Sequence, residues 1–312
     1  MRAVALHFIS ILLGITLSFA QSSSNRSQAS FDQRPKATSD VSELLGKAGA
    51  GDPVAQFRLG LAYESGAGAE RNYEEAAHWY RIAAEHGIPA AQNNLGSMYA
   101  RGLGLPKDDK EAAKWYLRAA GERHPAAENN VGFIYATGRG VPQSDVAAVS
   151  WYRRAAARGY APAQTNIGLM YSTGRGVIED PKQALDWFNK AAKQEYAPAE
   201  FQVGMMYFHG IGTETDLSAA LKWLRKASEQ GYSPAQNQLA YAYEHGRGVP
   251  QDYAVAEKWY AAAAERGLPE AEHNIRVLRT FVQKLSRGMA SQAETLTGTA
   301  TQTPGKALTN SQ

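Results

Sequence analysis

Six tryptophans, Trp79, Trp115, Trp151, Trp187, Trp223 and Trp259, are the only ones in the chain, and each lies 36 residues after the last. Tyr63, Tyr99, Tyr135, Tyr171, Tyr207 and Tyr243 keep the same step, as do the Gly-x-Gly pairs from Gly66/Gly68 to Gly246/Gly248. A fixed period of this length excludes a fold organised around one central core. Each unit must instead bury its apolar face against the next, which is the signature of a solenoid. The 312 residues therefore do not divide into two globular domains, as length alone would indicate.

Within each period the residue types spell two helices. Pro53, Pro89 and Pro125 open the first three units, and Pro162, Pro198 and Pro234 open the next three one residue later. Proline suits the first helical turn, where its missing N–H is no loss, so the later prolines predict a small shift of the helix start. Asp52 is a good N-cap for a first helix, A, of about 12 residues carrying Ala55, Leu59 and Tyr63 on one face. Gly60, Gly96, Gly132, Gly168 and Gly204 recur inside this helix, with Ala240 in the sixth unit. Glycine there costs about 1 kcal/mol relative to alanine, so a backbone or an aromatic ring must press on that spot. The Gly-x-Gly pair follows a helix and has no Lys-Ser/Thr continuation, so it reads as a helix C-cap and turn and not as a phosphate cradle.

Asn72, Asp108, Ser144, Asp180, Asp216 and Asp252 announce the second helix, B, as N-caps. Each Trp has alanine three residues before and four after, as in Ala76-Trp79-Ala83. That spacing predicts one helical stripe in which the indole fills the seam between helices, with a Trp→Ala cost of about 3–5 kcal/mol.

The ends differ from the repeats. Arg2, the apolar run Ala3 to Phe19 and Ser18-Phe19-Ala20 form a signal-peptide pattern over residues 1–20, the alternative being an uncleaved N-terminal anchor with the rest outside. Residues 21–38 are expected to be a flexible leader, 39–288 the solenoid and 289–312 a disordered Thr/Gln/Ser-rich tail. Leu44, Leu45 and Ala48 are expected to pack as an N-terminal capping helix. Ile275, Leu278, Phe281, Val282 and Leu285 are expected to form a C-terminal one with a basic face. No later stretch can cross a bilayer, so no membrane insertion is expected after cleavage. A net charge of +3 is too weak to argue for nucleic acid, and the absence of cysteine excludes disulfides, thiol catalysis and Cys-ligated metal.

Units such as AQNNLGSMYARGLGLPKDDKEAAKWYLRAA resemble the Sel1-like repeat, a relative of the tetratricopeptide repeat with a longer loop, over residues 40–280. The resemblance implies an all-α, right-handed superhelical solenoid of antiparallel helix pairs. Here that means six full 36-residue repeats plus capping helices. It also implies an adaptor role in envelope organisation, signalling, motility or host interaction. The chain lacks the cysteine pairs that bridge each repeat in a β-lactamase-like subgroup.

In such superhelices the A helices line the concave surface. There Arg58, Asn94, Asn130, Asn166, Gln202, Gln238 and Asn274 occupy one repeat position. Carboxamides supply donors and acceptors to an extended peptide whatever its sequence, and Phe133, Met205 and Tyr241 lie three residues beyond their ladder neighbours as an apolar floor. The other reading is that the amides bond neighbouring helices and stabilise stacking. The partner expected is a protein or extended peptide, with no cofactor. Arg139, Arg175 and Arg247 share a loop position as a weak basic ridge, and His209 and His245 share another without metal geometry. No Ser-x-x-Lys, Gly-x-Ser-x-Gly or His-Glu-x-x-His motif occurs. The chain therefore reads as a non-catalytic scaffold acting outside the cytoplasm, in the periplasm or secreted. A cell-wall or β-lactam hydrolase and a secreted host-interacting effector are the alternatives.

Overall fold

The computed structural model describes residues 37–299. The signal-peptide expectation, nearly all of the leader and the end of the expected tail lie outside them. The described residues form fourteen α-helices and no strand. After α1 (Ala37–Gly49), helices A and B alternate: α2 (Pro53–Ser65) and α3 (Tyr73–Glu85), α4 (Pro89–Arg101) and α5 (Asp109–Gly121), α6 (Pro125–Thr137) and α7 (Asp145–Ala157). They continue as α8 (Ala161–Thr173) and α9 (Pro181–Ala192), α10 (Ala197–His209) and α11 (Leu217–Glu229), α12 (Ser233–His245) and α13 (Tyr253–Glu265), ending in α14 (Pro269–Thr299). The chain clusters into two compact units, one ending at Asp216 and one beginning at Leu217.

The six A helices begin at residues 53, 89, 125, 161, 197 and 233, a constant 36-residue step, so the expected shift does not occur. The proline moves from the first helical position to the second instead. The first four N–H groups of a helix have no intrahelical partner, so either position tolerates it. Asp52 caps α2 by accepting the Val54 and Ala55 N–H groups at 2.9 and 3.2 Å. Asn72, Asp108, Ser144, Asp180 and Asp252 cap the B helices in the same way. Their own N–H groups donate across the loop to the carbonyls of Tyr63, Tyr99, Tyr135, Tyr171 and Tyr243 at 2.9–3.0 Å.

Two glycine columns fix how the helices meet. The first Gly of each Gly-x-Gly is the left-handed C-cap, as at Gly138 with φ +71°. The second lies against the preceding repeat: a Cβ on Gly140 would overlap the Asp109 carbonyl, and one on Gly212 would sit 2.5 Å from the Pro181 oxygen. Inside helix A, a Cβ on Gly96, Gly132 or Gly168 would lie 2.6–2.8 Å from the ring of Tyr116, Tyr152 or Phe188. The pressing group in these repeats is thus the aromatic residue that follows Trp115, Trp151 or Trp187.

That finding corrects the expected role of the tryptophans. The fully buried stripe of helix B is Ala76-Tyr80-Ala83 and its repeats, and all six tryptophans are only partly buried. Trp115, Trp151 and Trp187 each cover a core made by the preceding B helix and the A helix between. Basic side chains three residues on lie over them, with Arg154 4.1 Å from the Trp151 centroid and Lys190 Nζ 4.0 Å from that of Trp187.

In α1 it is Val41 and Ala48 that are buried and Leu44 partly so, whereas Leu45 is exposed. In α14, Ile275 and Leu278 join the core and Val282 packs beside it, but Phe281 and Leu285 are exposed. This helix continues to Thr299, past the boundary expected at 288.

Candidate functional site

The ladder amides sit where successive A helices approach one another. Asn130 Nδ2 donates to Asn93 Oδ1 and Asn166 Nδ2 to Asn129 Oδ1, both at 2.9 Å. Asn274 Nδ2 donates to Asn237 Oδ1 at 3.0 Å. Each bond joins one repeat to the helix A before it, so stacking is one use of the ladder. Among the described residues, Asn130 and Asn274 keep a second amide hydrogen and a carbonyl oxygen without a protein partner.

Burial divides the nine candidate residues. Asn166, Gln202 and Met205 are buried, while Asn94, Asn130, Phe133, Gln238 and Asn274 are partly exposed. Tyr241 is exposed and stacks on His245 with centroids 4.3 Å apart. The Arg139 guanidinium lies 6.0 Å from the Phe133 ring centroid. The accessible part of the face is therefore the stretch around Asn94, Asn130 and Phe133 in the first unit. In the second unit it is Gln238, Tyr241 and Asn274.

A further column holds the repeats together, and it was not anticipated. Gln56, Gln92, Gln164 and Gln236 each donate through Nε2 to the last-turn carbonyl of the preceding helix, Ala48, Ala84, Ala156 and Ser228, at 3.1–3.3 Å. Glu128 occupies the same position and cannot donate when ionised. It is fully buried and accepts from Arg154 Nε and Arg158 Nε at 3.1 and 3.2 Å. The 36-residue spacing of Gln and Glu was visible, but not the carbonyl eight residues upstream.

The expected basic ridge is also reassigned in part. Arg139 donates to the Ala100 carbonyl at 3.1 Å and to Asp109 at 2.8 Å. Arg175 donates to the Ala136 carbonyl at 2.8 Å and to Asp145 at 2.6 Å. Both guanidiniums span to the previous repeat and are spent on its backbone. Arg153 Nη2 meets the Tyr171 hydroxyl at 2.8 Å beside Ile178, in an open cleft of about 460 Å³. Among the described residues, no three His, Cys, Asp or Glu side chains are grouped to hold a metal. Among those residues, too, no helix is long and apolar enough to cross a membrane.

One cap titrates. His124 is the N-cap of α6, with Nδ1 accepting the Ala127 N–H at 3.3 Å. Burial holds its pKa below the ordinary histidine value. With the folded value depressed, its stabilisation is fully present above the unfolded value and is lost as pH falls through the folded one. His124→Asn keeps a cap that does not titrate. Wild type is expected to lose more Tm than His124→Asn between about pH 7 and pH 5. Parallel Tm curves would contradict this.

The Sel1 repeat family model matches residues 53–88, 89–123, 125–160, 161–196, 197–232 and 233–268. A Sel1 repeat protein from Oxalobacter formigenes is 30% identical with a TM-score of 0.69, covering 80% of this chain and 96% of that one. The c5321 protein, a protective antigen present in uropathogenic Escherichia coli strains, is 31% identical with a TM-score of 0.55, covering 76% of this chain and 59% of that one. The immunity protein Pa5087 from Pseudomonas aeruginosa shares the fold at 22% identity and a TM-score of 0.50, covering 68% of this chain and 81% of that one. No functionally curated protein matches the sequence.

Proposed function

This chain belongs to the Sel1 repeat family, and from that premise we propose that it is a non-catalytic scaffold that captures a protein or extended peptide on its A-helix face, outside the cytoplasm. Sel1 repeats are a scaffold fold typical of protein–protein interaction. The observation that carries the finer reading is the half-used ladder. Asn130 and Asn274 each spend one amide hydrogen on stacking and keep an acceptor and a donor on a partly exposed surface. Phe133 stands beside Asn130 to supply apolar contact. Export is supported by the charge and apolar pattern of Arg2 to Ala20. Fractionation into cytoplasm, cell envelope and medium with N-terminal sequencing tests it: a start at Gln21 in the envelope or medium supports export with cleavage, and a start at Met1 in the cytoplasm alone overturns it.

The test of capture uses the full chain as affinity bait against envelope and medium fractions. Asn130→Ala combined with Phe133→Ala is expected to abolish recovery of the partner. Because Asn130 also bonds Asn93 and Phe133 packs against the core around Val131 and Ile134, the double variant should lose about 2–3 kcal/mol of stability while staying folded. A folded double variant that recovers the same partner in the same amount would sink the A-helix face as the site.

A further inference from the structure

We infer that the C-terminal helix α14 carries a second docking stripe, built for an acidic amphipathic helix of a partner protein. Val277, Phe281 and Leu285 recur every four residues, so they lie along one side of α14 over about 12 Å. They are 51%, 45% and 40% exposed and follow one another along a single helix, whereas the other exposed large apolar residues among those described, Leu45, Val54, Val146, Ile178 and Tyr241, each lie on a different helix or loop. Val277 occupies the repeat position of Tyr241, so the stripe continues the A-helix face and does not belong to the outer surface.

Charge identifies the occupant. From Asn274 to Arg287, α14 carries Arg276, Arg279, Lys284 and Arg287 and no carboxylate. Only Arg279 has an ion-pair partner among the described residues, Glu257 at 2.7 Å. Lys284 follows the apolar stripe on the side away from the core, with Arg276 and Arg287 beyond it. A second copy of this chain would bring the same cations against themselves. The chain's own outlying segments do not fit either: residues 1–36 contain one acid, Asp32, and residues 300–312 contain none. An apolar stripe edged by Asp and Glu satisfies both the exposed rings and the unpaired cations.

A basic amphipathic helix is also a membrane-surface pattern, but here the helix is tied down. Asn274 bonds Asn237 of α12, Arg279 bonds Glu257 of α13, and Phe281 meets the Tyr253 ring edge-on at 5.6 Å. α14 is not free to roll three side chains into a bilayer, whereas a partner helix can come to it. The stripe also makes the C-terminal end of the array more than a polar cap. It rests on the scaffold reading but uses different residues from the ladder around Asn130.

The experiment uses the full chain and a labelled synthetic peptide of about four helical turns, with Leu at i, i+4 and i+7 and Glu on the flanks. Controls are a peptide of the same composition with the leucines dispersed, a Lys-flanked version, and vesicles of phosphatidylglycerol with phosphatidylcholine. Saturable binding of the Glu-flanked peptide alone is expected, weakening with salt and weakening about tenfold or more with Val277→Asp or Leu285→Asp. Leu285 lies outside the core clusters, so Leu285→Asp carries the test if Val277→Asp does not fold. Equal binding of the dispersed peptide, or binding unaffected by both substitutions, overturns the stripe. Vesicle binding that both substitutions abolish, without selective peptide binding, overturns it in favour of a membrane. Partner capture lost in the Asn130/Phe133 variant but kept in both aspartate variants, together with absent peptide binding, removes the stripe and leaves the scaffold standing.

Discussion

Gly140→Ala is expected to destabilise the first unit by about 3 kcal/mol or more, whereas Gly159→Ala costs only about 1 kcal/mol. Both glycines have positive φ, +72° and +83°. Strain at a left-handed position is about 1–2 kcal/mol, so conformation alone predicts similar losses. The surroundings separate them. A Cβ on Gly140 would drive into the carbonyl of Asp109 at the start of α5, while one on Gly159 meets nothing within 4 Å. The obstruction is backbone and cannot rotate aside, so the loop and the preceding B helix must part. The sequence contains its own control. Arg123 and Glu195 stand where other repeats have Gly87 and Gly159, at φ +59°, so that column accepts side chains. Urea denaturation of the two variants decides the matter: equal shifts of the midpoint would mean that strain, not repeat-to-repeat contact, governs the Gly-x-Gly loop.

The contrast shows what the residues disclosed and what they did not. Period, helix pairs and caps were legible because they depend on local chemistry: an Asp before a helix caps it wherever the helix goes. The proline offset misled because one helical turn offers several positions without an N–H partner, so residue type and helix start need not move together. The partners of the long polar side chains were not legible: the glutamines reach a carbonyl eight residues back in another helix, and the ladder, Arg139 and Arg175 bonds span 30 or more residues. Yet a trace was present. Asn93, Asn129 and Asn237 precede the ladder residues Asn130, Asn166 and Asn274 by 37 positions, while Thr165 and Phe201 precede Gln202 and Gln238. Asp109 and Asp145 likewise occur in the repeats just before Arg139 and Arg175. Reading pairs of columns across adjacent repeats would have reassigned two of the three arginines from ligand surface to structure.

Phe188→Ala is expected to cost about 3–5 kcal/mol, and Trp187→Ala about 2 kcal/mol, the reverse of what residue size indicates. Both residues fall within the apolar stripe flanked by Ala184 and Ala191, and a helical period cannot choose between neighbours about 100° apart. The choice is made by the approach of helix A. Gly168 lies directly against the Phe188 ring, so that ring is enclosed and its removal leaves a cavity between α8 and α9. Trp187 reaches across to the core of Tyr152, Ala163 and Ile167 with one side and carries Lys190 over its ring on the other, so solvent already shares its site. Its truncation loses partial burial and a cation–π contact of about 0.5–1 kcal/mol, but opens no enclosed void. Denaturation midpoints of the two variants check the order, and a larger loss for Trp187→Ala would return the tryptophans to the centre of the core. If the order holds, the 36-residue tryptophan step marks the covers of the seams between repeats. The glycine–aromatic pairs, Gly132 with Tyr152 and Gly168 with Phe188, then set how closely each A helix can lie on its B helix, and through that spacing where the A-helix face presents its amides.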